Sequence, residues 1–263
     1  MDVYSYLEMV REKRPLVHHL TNWVTIYDCA QVVKSFGASP VMAHAPEEAA
    51  DMAGMAAALV LNIGTLTADF IESMKLAALA ANRRGIPVVL DACGAGATPF
   101  RDEKCFELLD AARISIIKGN GSEIARIAGR DVRTRGVDAT DVGGDLPEIA
   151  AGLARERKCT VVITGREDIV ADAATAYTVR NGTEMMAHVV GTGCMATSVI
   201  GTFVGASPHE LAAASAAGLS CFEIAAELAV KRSDGPATFK QNLFDCIFQL
   251  TRDQVSSMQR IAQ

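Results

Sequence analysis

Apolar residues along this chain alternate between two spacings, and the alternation predicts the architecture. "MDVYSYLEMVREKRP" sets apolar positions at helical spacing among charges, and Pro15 then opens "PLVHHLTN", a short strand ending in a polar turn. "VTIYDCAQVVKSFG" returns to helical spacing and stops at Gly37, and "SPVMA" reads as a brief strand. "PEEAADMAGMAAA" is a helix with proline and two glutamates at its start, where the helix dipole favours them. "LVLNIGTL" and "IPVVLDACGAGATPF" begin as continuous apolar runs, the mark of strands buried on both faces, and the second feeds a Gly-rich loop. Between them "ADFIESMKLAALAANRRG" is an amphipathic helix closed by Gly85.

Helix "KCFELLDAA", strand "ISIIKGN" and helix "SEIARIAG" add further alternations. Residues 130–144 are polar and Gly-bearing and are expected to form a surface loop. Helix "LPEIAAGLARERK" leads to strand "TVVITG", and the closely spaced "DIVADA" and "TAYTVR" read as antiparallel additions at the sheet edge. Ser207-Pro208-His209-Glu210 has the spacing of a capping box with proline at the first helical position. It is expected to open an Ala-rich helix reaching about Lys231, followed by a final amphipathic helix from about Thr238 to Arg260. Strands alternating with helices predict an α/β fold with a mainly parallel sheet flanked by helices. No repeat or linker interrupts the pattern, so residues 1–263 are expected to form a single domain.

Composition narrows the possibilities. Half the residues are hydrophobic but only 5% are aromatic, so the core must be built from Ala, Val, Leu, Ile and Met. A net charge of −6 without a basic stripe argues against nucleic acid and anionic membranes as partners. Seven cysteines, an odd number spread without a C-x-x-C, suit a reduced, cytoplasmic protein. No signal peptide is expected, and no stretch reads as the roughly 18-residue apolar run of a membrane helix.

Ligands of open α/β sheets gather at the carboxyl ends of the strands. Those ends here hold Asn22, Met42, Asn62-Ile63-Gly64, Asp91, Lys118 with Asn120 and Glu123, Thr164, and Gly191 to Cys194. Gly191-Thr192-Gly193 reads as a tight turn followed at once by a helical run, in "HVVGTGCMATSVIGTF". Such a turn bares N–H groups at a helix N-terminus and suits a phosphate. "GNGSEIA" has two readings: Ser122 caps a helix with Glu123 in its first turn, or Asn120 and Glu123 offer oxygen ligands to hydrated Mg²⁺, with Asp91 adding charge. Lys118 is either a solvated lysine or a phosphate contact. "GAGAT" misses G-x-G-x-x-G, and the absence of G-x-x-x-x-G-K-[ST] excludes a Walker A site. His18, His19, His44, His188 and His209 lack metal spacing, and Cys29, Cys105, Cys159, Cys221 and Cys246 read as small buried hydrophobes.

"HHLTNWVT", "GASPVMAHAPEEAADM", "LVLNIGTL", "DACGAGATPFR", "IIKGNGSEIA", "VVITG" and "VVGTGCMATSVIG" occur in one order across most of residues 15–205. Together they resemble the hydroxyethylthiazole kinase family, thiamine-salvage enzymes of the ribokinase-like superfamily. The resemblance implies a three-layer ribokinase-like sandwich and transfer of the ATP γ-phosphate to the hydroxyl of 4-methyl-5-(2-hydroxyethyl)thiazole. It also implies Mg²⁺ as cofactor and a homotrimer with active sites between subunits. The implied thiazole contacts are Asn22, Met42, Gly64 and Gly191. Lys118, Asn120 and Thr164 would bind ATP, and Asp91 and Glu123 would serve the magnesium.

Gly191, Thr192, Gly193 and Cys194 would form the anion hole, with Cys194 where related kinases carry an aspartate base. The resemblance makes that cysteine a family trait. A loose phosphoryl-transfer transition state tolerates such a weak base, because positioning and charge stabilisation dominate the barrier. Ala92 and Lys118 depart from the family's usual proline and arginine, and lysine offers a point charge in place of a planar fork. The alternatives are a related small-alcohol kinase and a non-catalytic thiazole or nucleotide-binding protein.

Overall fold

The structure is a computed structural model that describes residues 1–130 and 145–263; the loop expected over 130–144 lies, apart from Arg130, outside the described residues. The first half runs α1 (Val3–Lys13), β1 (Leu16–Leu20), α2 (Ile26–Ser35), β2 (Ser39–Val41), α3 (Pro46–Met55), β3 (Ala58–Asn62), α4 (Ala68–Arg83), β4 (Val88–Asp91), α5 (Pro99–Ala111), β5 (Ile116–Asn120) and α6 (Gly121–Ile127). The second half runs α7 (Leu146–Arg157), β6 (Thr160–Thr164), β7 (Asp168–Ala171), β8 (Ala176–Val179), a 3-10 helix (Glu184–His188), α8 (Thr192–Ala206), α9 (Leu211–Val230), α10 (Pro236–Gln249), α11 (Arg252–Met258) and β9 (Ile261–Ala262).

The strands form one sheet in the order β2-β1-β3-β4-β5-β6-β7-β8-β9. Strands β2 to β6 pair in parallel, and β7, β8 and β9 extend the edge in antiparallel fashion. One face packs against α1, α2, α8, α9 and α10, and the other against α3 to α7. The result is the helix–sheet–helix sandwich expected from the pattern, with both sheet faces buried.

The period of two along each strand explains where polar chemistry collects. On the α8 face, the aliphatic residue of each central strand is followed two positions later by a polar one. Val60 precedes Asn62, Val89 precedes Asp91, Ile116 precedes Lys118 and Val162 precedes Thr164. Register aligns these ends: Asn62 pairs with Asp91, Asp91 with Lys118, and Asn120 with Thr164. The core thus turns polar in one step along one rim.

Several boundaries differ from the expectation. Ser207 does not cap α9; its hydroxyl meets Met9 Sδ at 3.5 Å, and the helix begins at Leu211 after an uncapped Glu210. The Glu210 carboxylate is engaged by the Tyr6 hydroxyl at 3.3 Å, so contacts with α1 override the local motif. The expected final helix is two helices, because Thr251 and Gln254 form a capping box that restarts the chain as α11. The chain then adds β9 to β8. Helix α5 starts at Pro99 with Thr98 as its cap, earlier than its apolar spacing suggested.

Helix α9 corrects the expectation about membrane-length runs. It is long and apolar enough to cross a membrane, with a mean hydropathy of 1.4, yet 78% of that window is buried inside the protein. Its small residues let α8, α10 and α1 pack closely around it.

Candidate active site

Helix α8 begins at a glycine for a steric reason. Gly191 has φ +96°, and a Cβ there would lie 2.6 Å from Thr25 Cγ2. Both the left-handed backbone and the contact exclude a side chain. Gly191 makes no side-chain cap, and its carbonyl accepts from Met195 N at 2.7 Å. The N–H groups of Thr192, Gly193 and Cys194 are therefore the uncapped first turn of a 15-residue helix. Thr192 fixes the approach, donating its hydroxyl to Met186 O at 3.0 Å.

Beneath this turn lies the polar rim of the sheet. Lys118 is 4% exposed, and its Nζ sits 3.4 Å from the position a Cβ on Gly193 would take. It reaches both oxygens of Asp91 at 3.4 Å. Burial acts to lower the Lys118 ammonium, but Asp91 and Glu123 outweigh it and hold the group charged. Asp91 Oδ2 also accepts from Asn62 Nδ2 at 2.8 Å and from Thr197 Oγ1 at 2.7 Å. Asn62 Oδ1 accepts from Asn22 Nδ2 at 3.1 Å and from Gly64 N at 2.8 Å. Asn22 Oδ1 in turn holds Thr25 through its N–H and hydroxyl.

Cys194 Sγ faces this network. Asn22 Nδ2 lies 3.1 Å from it and Asn62 Nδ2 3.3 Å. The Cys93 thiol also hydrogen-bonds to it, which, with help from Lys118, pulls Cys194 down to about 7 against burial and the charge of Asp91. Cys93 moves the opposite way, raised by its bond to Cys194, by partial burial and by the charge of Asp91.

Glu123 is mainly a tie between loops. Its Oε1 accepts from Gly94 N and its Oε2 from Asn120 N, both at 2.7 Å. Asn120, and not Ser122, caps α6: its Oδ1 accepts from Glu123 N at 2.9 Å and from Ser122 Oγ at 2.8 Å. Burial raises Glu123 despite Lys118 nearby.

Thr164 stands at the end of β6 and, with Thr192 and Gly193, lines a cleft of 810 Å³. Met42 is set apart on the sheet edge just past β2, its carbonyl against the His44 ring at 3.3 Å. His44 packs edge-on to Trp23 at 4.8 Å, and Trp23 stacks on Phe70 at 5.7 Å, making an aromatic corner beside Asn22.

Asn22, Gly64, Asp91, Lys118, Glu123 and Gly191 to Cys194 thus converge. Asn62, Cys93, Thr197 and Arg101 belong with them although the sequence did not single out their roles. Arg101 donates to the carbonyls of Ile63, Cys93 and Gly64 at 2.8–3.1 Å, binding two loops of the rim together. Thr197 lies one helical turn past Gly193, a spacing that points it at the same rim.

This mainly parallel sheet, its polar rim facing a glycine-opened helix N-terminus that suits a phosphate, has the ribokinase-like fold. A ribokinase-like superfamily protein from Enterococcus faecalis shares this fold at 12% identity and a TM-score of 0.62, over 92% of this chain and 93% of that one. The chain belongs to the hydroxyethylthiazole kinase family, whose model matches residues 7–253. It is 52% identical to hydroxyethylthiazole kinase of Methanosarcina mazei, over 98% of each sequence. It also superimposes on the solved hydroxyethylthiazole kinase of Pyrococcus horikoshii with a TM-score of 0.90 at 37% identity, covering 99% of this chain and 98% of that one.

Proposed function

We propose that the chain transfers the γ-phosphate of ATP to the hydroxyl of 4-methyl-5-(2-hydroxyethyl)thiazole, as a single catalytic domain in the cytoplasm. One observation carries this: the uncapped N–H groups of residues 192–194 stand over the buried Lys118 and beside Cys194. Donors held in place before reaction stabilise charge that develops on a migrating phosphoryl group. Lys118 adds a charge fixed beneath the turn. Thr164 and Asn120 border the nucleotide side, and Asn22, Gly64, Gly191 and Met42 with the aromatic corner border the thiazole side.

Cys194 receives the hydroxyl proton. Its lowered pKa keeps part of the population as thiolate near neutrality, and a base is most effective near the working pH. The donors around it restrain its basicity, which suits a reaction in which the proton leaves late.

Mg²⁺ neutralises charge on the nucleotide phosphates when bound. Among the described residues no cluster of three His, Cys, Asp or Glu side chains forms a closed cage. Asp91 and Glu123 would hold the ion through water, since Mg²⁺ bound by one or two carboxylates keeps several waters. Asp91 Oδ1 has Lys118 at 3.4 Å, and each Glu123 oxygen holds one backbone N–H, so lone pairs remain for metal-bound water.

Assembly as a homotrimer is supported by exposed apolar residues bordering the thiazole side. Trp23, Val24 and Tyr27 are 49%, 67% and 74% exposed. The test of function is an ADP-release assay across alcohols. The thiazole alcohol is expected to give the highest kcat/KM. A faster pyridoxal, pyrimidine or sugar acceptor would replace the substrate, and tight thiazole binding without ADP release would replace the enzyme with a binding protein.

A further inference from the structure

The seven cysteines of the chain are not alike. Five are buried, and only Cys93 and Cys194 are partly exposed. These two also touch, the Cys93 thiol donating to Cys194 at the rim of the site. They come from distant parts of the sequence. Cys93 lies two residues past the end of β4, and Cys194 sits in the first turn of α8. Asn62 spans the same gap, its Nδ2 lying 2.8 Å from Asp91 Oδ2 and 3.3 Å from Cys194 Sγ.

Each sulfur stands on backbone that is held in place. The Cys93 carbonyl accepts from Arg101 Nη1 at 3.1 Å, and Ala92 N donates to Lys118 O at 2.8 Å. Opposite, Gly191 fixes the entry to α8, and Asn22 Nδ2 meets Cys194 Sγ at 3.1 Å. Two thiols held in contact need only a small side-chain movement to bond. Cys29 on α2 also senses Cys194, but it is buried and its thiol is taken up by Thr25 Oγ1 at 3.7 Å. Phosphate transfer gives Cys93 no task of its own. In a reducing compartment, an accessible pair of touching thiols suits a transient, redox-sensing bridge.

We propose that hydrogen peroxide oxidises Cys194, that Cys93 resolves the product as a reversible disulfide, and that this bridge switches the site off. The Cys194 sulfur attacks one peroxide oxygen, the O–O bond breaks, and the first water leaves with the thiol proton. Cys93 then displaces the hydroxyl from the resulting sulfenic acid, and its own proton departs in a second water. The sulfurs lose the two electrons that the peroxide gains, so two thiols and one peroxide give one disulfide and two waters. A dithiol reverses the bridge by exchange. Closure consumes the proton acceptor and draws the first turn of α8 toward the loop after β4. The loss of activity rests on the proposed function; the bridge itself does not.

The test treats the reduced full chain with hydrogen peroxide, with and without dimedone, which labels sulfenic acids, and reads intact mass and mapped peptides. The parent should lose the mass of two hydrogens, show the peptides of Cys93 and Cys194 joined, and take up no dimedone. Cys93→Ser should lose no hydrogens and carry one dimedone at Cys194. Cys93→Ala repeats the test if the serine variant does not fold. For the oxidised parent, kcat/KM should fall at least about tenfold against its own reduced form and return with dithiothreitol. Dimedone labelling of the parent equal to that of Cys93→Ser overturns the proposal. So does a bridge from Cys194 to Cys29 or to a second chain, or a pair of thiols that peroxide leaves intact. Undiminished activity in the bridged protein overturns the switch. A bridge that forms in a chain without thiazole kinase activity refutes the proposed function and leaves the disulfide standing.

Discussion

Cys194 sits among the amides of Asn22 and Asn62 and the thiol of Cys93, and each of these favours negative charge on sulfur. As pH rises through about 7 the free enzyme's Cys194 loses its proton, so alkylation by iodoacetamide should accelerate through that range. Below it the rate should fall about tenfold per pH unit, as the thiolate fraction does. A midpoint near the ordinary thiol value would remove the influence of Cys93. Cys194→Ala should retain measurable kinase activity, within about a hundredfold of the parent, since a general base contributes at most about 10²–10⁴-fold and this one is restrained. Cys194→Asp should be active. Complete inactivity of a folded, ATP-binding Cys194→Ala variant would show that the thiol is indispensable. Asp91, Lys118 and Cys194 were legible in the sequence because they stand at strand ends and in a glycine turn. The roles of Asn62 and Cys93 were not, because they arise only when strand register and a folded-back loop bring both to one sulfur.

At the scale of elements, α8 does two separate jobs. Its N-terminus presents N–H groups, and its body packs closely on β1 and β3, with Gly201 set against the side chains of Val60 and Val17. Gly191→Ala should cut kcat by about 10²–10³-fold, the loss expected when preorganised donors are displaced, as measured by steady-state kinetics. Gly201→Ala should act elsewhere, because a methyl there would run into Val60 Cγ2. It should destabilise the fold by about 1–3 kcal/mol in denaturant titration while leaving KM for both substrates near the parent values. Equal stability would mean that α8 is free to shift away from the sheet. Buried strands were readable as apolar runs because a parallel sheet covered on both faces leaves no polar side to alternate with. Helix ends were less readable. The Ser207 motif loses to Tyr6 and Met9 on α1, and Thr251 restarts the last helix, because caps compete with contacts distant in sequence.

The whole molecule places its chemistry on one rim, where Asn62, Asp91 and Lys118 align across three strands under the start of α8. An apolar surface at Trp23, Val24 and Tyr27 adjoins it. Size-exclusion chromatography with light scattering should give about three times the 27.8 kDa chain mass. Tyr27→Glu should lower both that mass and the activity, if neighbouring subunits complete each site. A fully active monomer would separate catalysis from assembly. The most direct test of the phosphate-binding turn is a crystal structure with a non-hydrolysable ATP analogue, Mg²⁺ and the thiazole alcohol. Oxygens of the terminal phosphate should lie about 3 Å from the N–H groups of residues 192–194, with Lys118 alongside. A terminal phosphate bound elsewhere, away from that turn, would contradict it.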